Sequence, residues 1–130
     1  MTAQRVRLDV ISNNIANVNT TRTSEGGPYQ RERVIFQERR VTKSFDDYLR
    51  ESKPGGVKVV SIQKDNSPFK VVYDPTHPDA DEEGYVRFPN VNIVTEMVDM
   101  ISALRSYEAN VTAIDAAKSM MSKALDISRS

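Results

Sequence analysis

Cysteine and tryptophan are missing from this 130-residue chain, and histidine occurs once. Without thiols there is neither a disulfide framework nor a thiolate metal site, and their lack is compatible with either redox compartment. Nowhere does the chain reach the roughly 18 consecutive apolar residues of a membrane-spanning helix, and its start has no apolar run of signal-peptide length. Membrane insertion is therefore not expected, and export would need a route that reads no cleaved signal. Excess charge of either sign is also absent, 18 basic residues balancing 18 acidic ones. That balance removes the electrostatic case for nucleic acid or an anionic membrane as the main partner. Apolar residues make up 38% of the chain, below the ordinary globular share, so a core completed from outside the chain becomes plausible.

The residues of catalysis are equally scarce. His77 stands between Thr76 and Pro78, with no nucleophile-elbow motif to supply an activated serine. No glycine-rich phosphate loop of either common type occurs. Neither an enzyme nor a bound cofactor is expected. Asp79, Asp81 and Glu83 followed by Gly84 reproduce the first half of a calcium loop, but the ninth position would be Arg87 and the twelfth, where a bidentate glutamate is needed, is Asn90. A solvated acidic turn stiffened by Pro75 and Pro78 is the simpler reading, and no metal ligands are assigned. The sequons at Asn19 and Asn110 are short enough to recur by chance.

What the sequence does contain is helical periodicity. Ile93, Met97, Met100, Leu104, Tyr107, Val111, Ile114, Lys118, Met121 and Leu125 are spaced four and three in strict alternation, the heptad seam of a helix with one edge against a partner. No glycine or proline interrupts Ile93 to Ile127, so one helix of roughly 50 Å is predicted. A compact chain of this size has a radius of gyration of about 14 Å, and such a helix must project or be covered by something else. Leu8, Ile11, Ile15 and Val18 form a second, shorter seam, predicting a helix through about Ala16. It ends in the uncharged run from Ser12 to Thr20, rich in asparagine, a poor residue for a helix interior. Those amides are either a frayed end and loop or hydrogen-bonding groups in a packed interface. At about 25 Å the first helix covers only about half of the second. Twelve residues between Ile93 and Ile127 are Ala, Ser or Thr, among them Ala103, and would let other helices approach closely.

Between the helices, Arg22 to Pro28 reads as a breaker-rich linker. Tyr29 to Gln37 is predicted as a strand with Arg31, Glu32 and Arg33 facing water. Ser44 to Glu51 reads as one or two helical turns, and Val57 to Gln63 and Phe69 to Tyr73 as strands joined in a hairpin by Asp65-Asn66-Ser67-Pro68. A further strand falls at Gly84 to Pro89. The fold expected is α+β, with long N- and C-terminal helices in a coiled-coil-like layer and a small antiparallel β-rich middle. Its expected units are residues 1–21, 22–90 and 91–130.

The run Leu8-Asp9-Val10-Ile11-Ser12-Asn13-Asn14-Ile15-Ala16-Asn17-Val18-Asn19-Thr20 resembles the N-terminal signature of bacterial flagellar rod and hook proteins. Tyr73-Asp74-Pro75-Thr76-His77-Pro78-Asp79-Ala80, Gly84-Tyr85-Val86, Pro89-Asn90-Val91-Asn92, Glu96-Met97-Val98-Asp99-Met100 and Arg105-Ser106-Tyr107-Glu108-Ala109-Asn110 strengthen the likeness, within that family, to the proximal rod proteins of the flagellar basal body. The resemblance covers nearly the whole chain and is weaker over residues 22–72. It implies a non-enzymatic axial subunit, exported unfolded through the flagellar type III apparatus. Such a subunit would polymerise helically with copies of itself and other rod subunits, its terminal helices lining a rod that crosses the periplasm. Family members usually carry a further helical stretch ahead of the position of Met1. The assembly interface expected on this reading comprises Leu8, Ile11, Ile15, Val18, Met97, Met100, Leu104, Tyr107, Val111, Ile114, Met121 and Leu125. A metal-binding module using Asp79, Asp81 and Glu83 is the rival from another class, and would show itself by a saturable rise in unfolding midpoint on calcium addition. A closed coiled-coil dimer, the second rival, would sediment with fixed stoichiometry.

Overall fold

The computed structural model describes residues 1–39 and 56–128. Helix α1 (Thr2–Ala16) is followed by strands β1 (Glu32–Glu38), β2 (Val57–Lys64), β3 (Lys70–Tyr73) and β4 (Tyr85–Phe88), and then by helix α2 (Ile93–Ser128). The architecture is α+β, as the sequence predicts. Helix α2 is unbroken over its 36 residues. Asn92 caps it, its Oδ1 accepting the N–H groups of Val94 at 3.0 Å and Thr95 at 3.2 Å. Helix α1 stops at Ala16 inside the asparagine run, where Asn17 donates through both its backbone N–H and its Nδ2 to the Asn13 carbonyl. The predicted turns at Ser44 to Glu51 lie outside the described residues.

The strands form two separate antiparallel pairs, β1 with β2 and β3 with β4. This corrects the expected β2–β3 hairpin. The connecting segment is held instead by Asn90, whose Nδ2 donates to the carbonyls of Asp65 at 2.9 Å and Ser67 at 3.0 Å. Asp65 Oδ1 meanwhile accepts from the Ser67 N–H and hydroxyl, and Pro68 has no N–H to give. Strand β1 also begins later than the sequence predicts, at Glu32 and not Tyr29. Between β1 and β2 the register shifts at Ile35/Phe36, with Ile35 opposite Ser61 and Phe36 opposite Val59. Val60 is the extra residue, and this bulge accounts for the one-residue offset in the apolar pattern of that strand.

Helix α1 packs antiparallel on the first half of α2, Arg7 lying beside Asp99 and Asn14 beside Glu96. The buried apolar residues number four among those described, Val10, Ile11, Val86 and Ala103. Such a core is small for the chain. The β3–β4 pair carries an edge-to-face contact between its cross-strand partners Tyr73 and Tyr85, ring centroids 5.3 Å apart. Gly84 enters β4 with φ +83°, and a Cβ there would come within 3.0 Å of the Tyr73 ring and 3.2 Å of Pro75 Cβ. Both the left-handed backbone and the crowded space oppose a side chain. Gly84→Ala is therefore expected to destabilise the chain by about 1–3 kcal/mol, read as a lowered urea midpoint with an unchanged m-value.

Candidate assembly interface

The helices and the middle of the chain meet in a polar cluster. Asn14, 1% exposed, fills every hydrogen-bonding position of its side-chain amide. Its Nδ2 donates to the Glu32 carbonyl at 2.9 Å and to Glu96 Oε2 at 3.0 Å. Its Oδ1 accepts the Glu32 N–H at 2.9 Å and the Tyr29 hydroxyl at 3.1 Å. Toward Glu32 the amide thus acts as a strand residue would, giving and taking one bond each. Glu96, also 1% exposed, receives Arg31 on its other oxygen, with Nε at 2.6 Å. Arg31 reaches further to Asp65 at 3.6 Å and Asp99 at 3.8 Å, and Arg7 pairs with Asp99 at 3.1 Å. The backbone joins in, the Arg31 N–H donating to Asn90 Oδ1 at 2.8 Å and the Asp65 N–H to the Arg31 carbonyl at 2.7 Å. Arg31 therefore does not face water as its neighbours in sequence suggest. Arg33 does, at 62% side-chain exposure against 22% for Arg31. The reason is the helix opposite: a carboxylate buried on α2 needs a cation, and the planar guanidinium reaches it.

The cluster also sets its own electrostatics. Burial raises the Tyr29 hydroxyl above the ordinary phenol range, and the carboxylates of Glu32 and Glu96 push it the same way. Hydrogen bonds from the Ser67 side chain and backbone hold Asp65 below the usual carboxylate range, with Arg33 and Arg31 adding to the effect.

Around this cluster the seam residues fall into two groups. Ile11 is buried, and Leu8, Ile15 and Val18 are half-buried, as are Met100, Tyr107 and Val111 on α2. Met97, Leu104, Ile114, Met121 and Leu125 are exposed, by 42% to 69%. The residues α2 buries are instead Glu96 and Ala103, each one position before a seam residue. The helix therefore turns a carboxylate and a small residue toward α1 and leaves the apolar edge open. Beyond Val111, every described residue from Thr112 to Ser128 is exposed.

The motif residues have separate tasks. Asn14, Asn90 and Glu96 build the cluster, Asn92 caps α2, and buried Pro89 precedes them. Asn17 and Thr20 close the turn after α1, the Thr20 hydroxyl donating to Asn17 Oδ1 at 3.1 Å, while Asn13 and Asn19 are exposed. In the acidic turn, Asp74 Oδ1 accepts from the Thr76 N–H and hydroxyl, which hold its carboxyl below the usual range. His77 Nδ1 accepts the Asp79 N–H at 3.1 Å. Asp79 Oδ2 accepts the Thr21 hydroxyl at 2.7 Å, and Asp81 Oδ1 accepts the N–H groups of Glu83 and Tyr85. These carboxylates organise the turn and dock it on residue 21, and no grouping suited to a metal ion occurs among the described residues. Arg105, Glu108 and Asn110 lie exposed on α2. Sequence reasoning missed Arg7, Arg31, Asp65 and Asp99 as members of the cluster. No local signal could have found them: strand alternation would put Arg31 and Arg33 on one face, and Arg31 turns inward because Glu96 lies 65 positions away.

Both ends of the chain match models of known families. Residues 1–22 match one described as flagella basal body rod protein, and residues 82–127 one described as the C-terminal part of the flagellar basal body rod FlgEFG proteins. Paired terminal helices, with the longer one largely open, thus fall in the class of flagellar basal-body rod proteins. The chain is 56% identical to the flagellar basal-body rod protein FlgC of Borreliella burgdorferi, over 98% of this chain and 90% of that one. Against the protein of the same name from Bacillus subtilis the identity is 50%, over 99% and 91%. For Salmonella typhimurium it is 41%, over 98% and 89%. The chain belongs to the FlgC family of flagellar basal-body rod proteins.

Asn14→Ala leaves a buried carboxylate, a hydroxyl and both polar groups of Glu32 short of a partner. It is expected to cost about 2–4 kcal/mol, whereas Asn13→Ala at an exposed position should stay within about 0.5 kcal/mol; chemical denaturation of the two variants checks the contrast. Asp65 and Asp74 have folded-state values below the ordinary 3.8, so each adds stability above that pH and loses it as pH falls through the lowered value. Thermal midpoints measured from pH 6 downward should therefore drop below about pH 4, and replacing both residues with Asn should flatten that drop.

Proposed function

We propose that this chain, a structural subunit of the flagellar basal-body rod by family, enters the rod through the open edge of α2. Exposure from Thr112 to Ser128 is the observation that carries the reading. Helices shorter than about 15 residues are marginal in water, and longer ones in proteins draw most of their stability from packing an apolar face. A distal half on which Ile114, Met121 and Leu125 are 43% to 69% exposed calls for neighbours. Those neighbours are copies of the chain and other rod subunits, in heterologous contacts that repeat along an open helical array. Met97, Leu104 and Val111 continue the edge toward the middle of the chain. Leu8 and Ile15 on α1, and Val18 in the turn after it, extend it on the other side. Lys118 is the polar residue of the seam and serves to fix register between helices.

The chain acts without catalysis, as a rigid element of a shaft across the periplasm. Residues 1–21 and 91–130 form its helical layer, and 22–90 its outer β-rich part. It is handed over by the flagellar type III export apparatus without a cleaved signal. No helix among the described residues is long and apolar enough to cross a membrane, which fits a subunit that passes through one and does not remain in it.

Leu104→Asp combined with Val111→Asp places two charges on the seam, one at exposed Leu104 and one at half-buried Val111, without touching the polar cluster. In a strain lacking the native protein, this variant should keep its helix content by circular dichroism yet fail to enter basal bodies and to restore swimming. Intact incorporation would sink the assignment of the edge.

A further inference from the structure

On the half of α2 that α1 covers, Met97 and Leu104 are exposed because the helix presents the adjacent Glu96 and Ala103 to its own chain. Successive residues on an α-helix are separated by about 100° of rotation. Turning α2 by that amount would put Met97 and Leu104 where buried Glu96 and Ala103 now stand. That rotated state would bury two apolar side chains now 52% and 42% exposed while turning half-buried Tyr107 outward, so apolar burial alone does little to hold the present orientation. An apolar contact would resist the turn weakly, since one greasy side chain can replace another. What opposes it is directional. In the rotated state Glu96 would lose Asn14 and Arg31, each of which meets it at hydrogen-bond distance from a different segment. Asn14 would keep Glu32 and Tyr29 but have one donor unfilled beside α2.

We propose that Asn14, Arg31 and Glu96 are a latch that keeps α2 from consuming its own seam: a buried ionic cluster, costly to desolvate and weak as a source of stability, retained because it disfavours the self-closed packing. The proposal rests on reading the seam as the assembly edge and says how that edge is kept available. Arg31 ties the latch to the middle of the chain through Asn90 and Asp65, so the open orientation is set once residues 14, 29–32 and 90–96 have all docked. Released, the latch lets α2 roll its seam inward.

The native chain has no cysteine, so Leu104→Cys supplies a single thiol that reports on the seam. Reaction with N-ethylmaleimide is measured for this variant alone and with Asn14→Leu and Glu96→Leu added, with Ser122→Cys on the exposed distal half as the control position. Loss of the latch should slow labelling at position 104 by about tenfold and leave position 122 unchanged. An unchanged rate at 104, in a chain with native helix content, overturns the proposal. Should the two leucines prevent folding, Glu96→Gln keeps the side-chain volume and should slow labelling at 104 by about threefold, with no change again overturning it. Because labelling is read on the isolated chain, its outcome is independent of whether the seam enters a rod, which the Leu104→Asp and Val111→Asp variant decides.

Discussion

The contact between Asn14 and Glu96 is the one on which the remaining structure depends. It joins the two ends of the sequence, and through Arg31 it fastens the β1–β2 pair to both helices. A domain of this length would ordinarily be held by an apolar core, yet the buried apolar residues here are few and two of them, Val10 and Ile11, are on α1 alone. The polar cluster compensates in specificity, since a buried amide with four partners is satisfied in one arrangement. It does not compensate in stabilisation, because the desolvation of Glu96 and Arg31 offsets much of their attraction. An isolated chain built this way is defined in shape and modest in stability.

That division explains why a helix of 36 residues can be so unevenly covered. Its first half is pinned by hydrogen bonds and by the close approach that Ala103 allows, and needs little apolar area. Met97 and Leu104 on that half are thereby left exposed. Surface patches of that kind are rare on proteins that act alone. Membership of a family whose members are named as rod proteins gives the patch a setting, and the geometry gives it an edge.

The elements legible in the sequence were those governed by local periodicity. The limits of both helices could be read from apolar spacing, from the asparagine run and from the lack of glycine and proline, because each depends on neighbours within a few positions. Strand pairing was misread, because β2 and β3 are kept apart by Asn90, a residue more than twenty positions from the segment it holds. The same distance hid the cluster. Nothing local to Arg31 marks it as inward-facing, since its partner is Glu96, 65 positions away. The family motif did include Asn14, Asn90 and Glu96, but as letters in a pattern and without roles. Val60 was the intermediate case, its apolar offset visible in the sequence and its cause, a bulge, visible only once the partner strand was known.

The acidic turn, read from the sequence as solvated and stiffened by Pro75 and Pro78, is held together by its own carboxylates. Asp79, Asp81 and Glu83 have the spacing of cation ligands, yet the oxygens of Asp79 and Asp81 accept hydrogen bonds from Thr21 and from the backbone of Glu83 and Tyr85. Asp81 Oδ1 alone takes two backbone N–H groups, and protonating this carboxylate would weaken the turn that they hold. The turn is thus fastened to residue 21, just past the end of α1, by the groups that a metal site would have required. The helices, the β1–β2 pair and this turn are in consequence tied to one another chiefly by side-chain amides and carboxylates, and little of the apolar surface of α2 is used in that fastening.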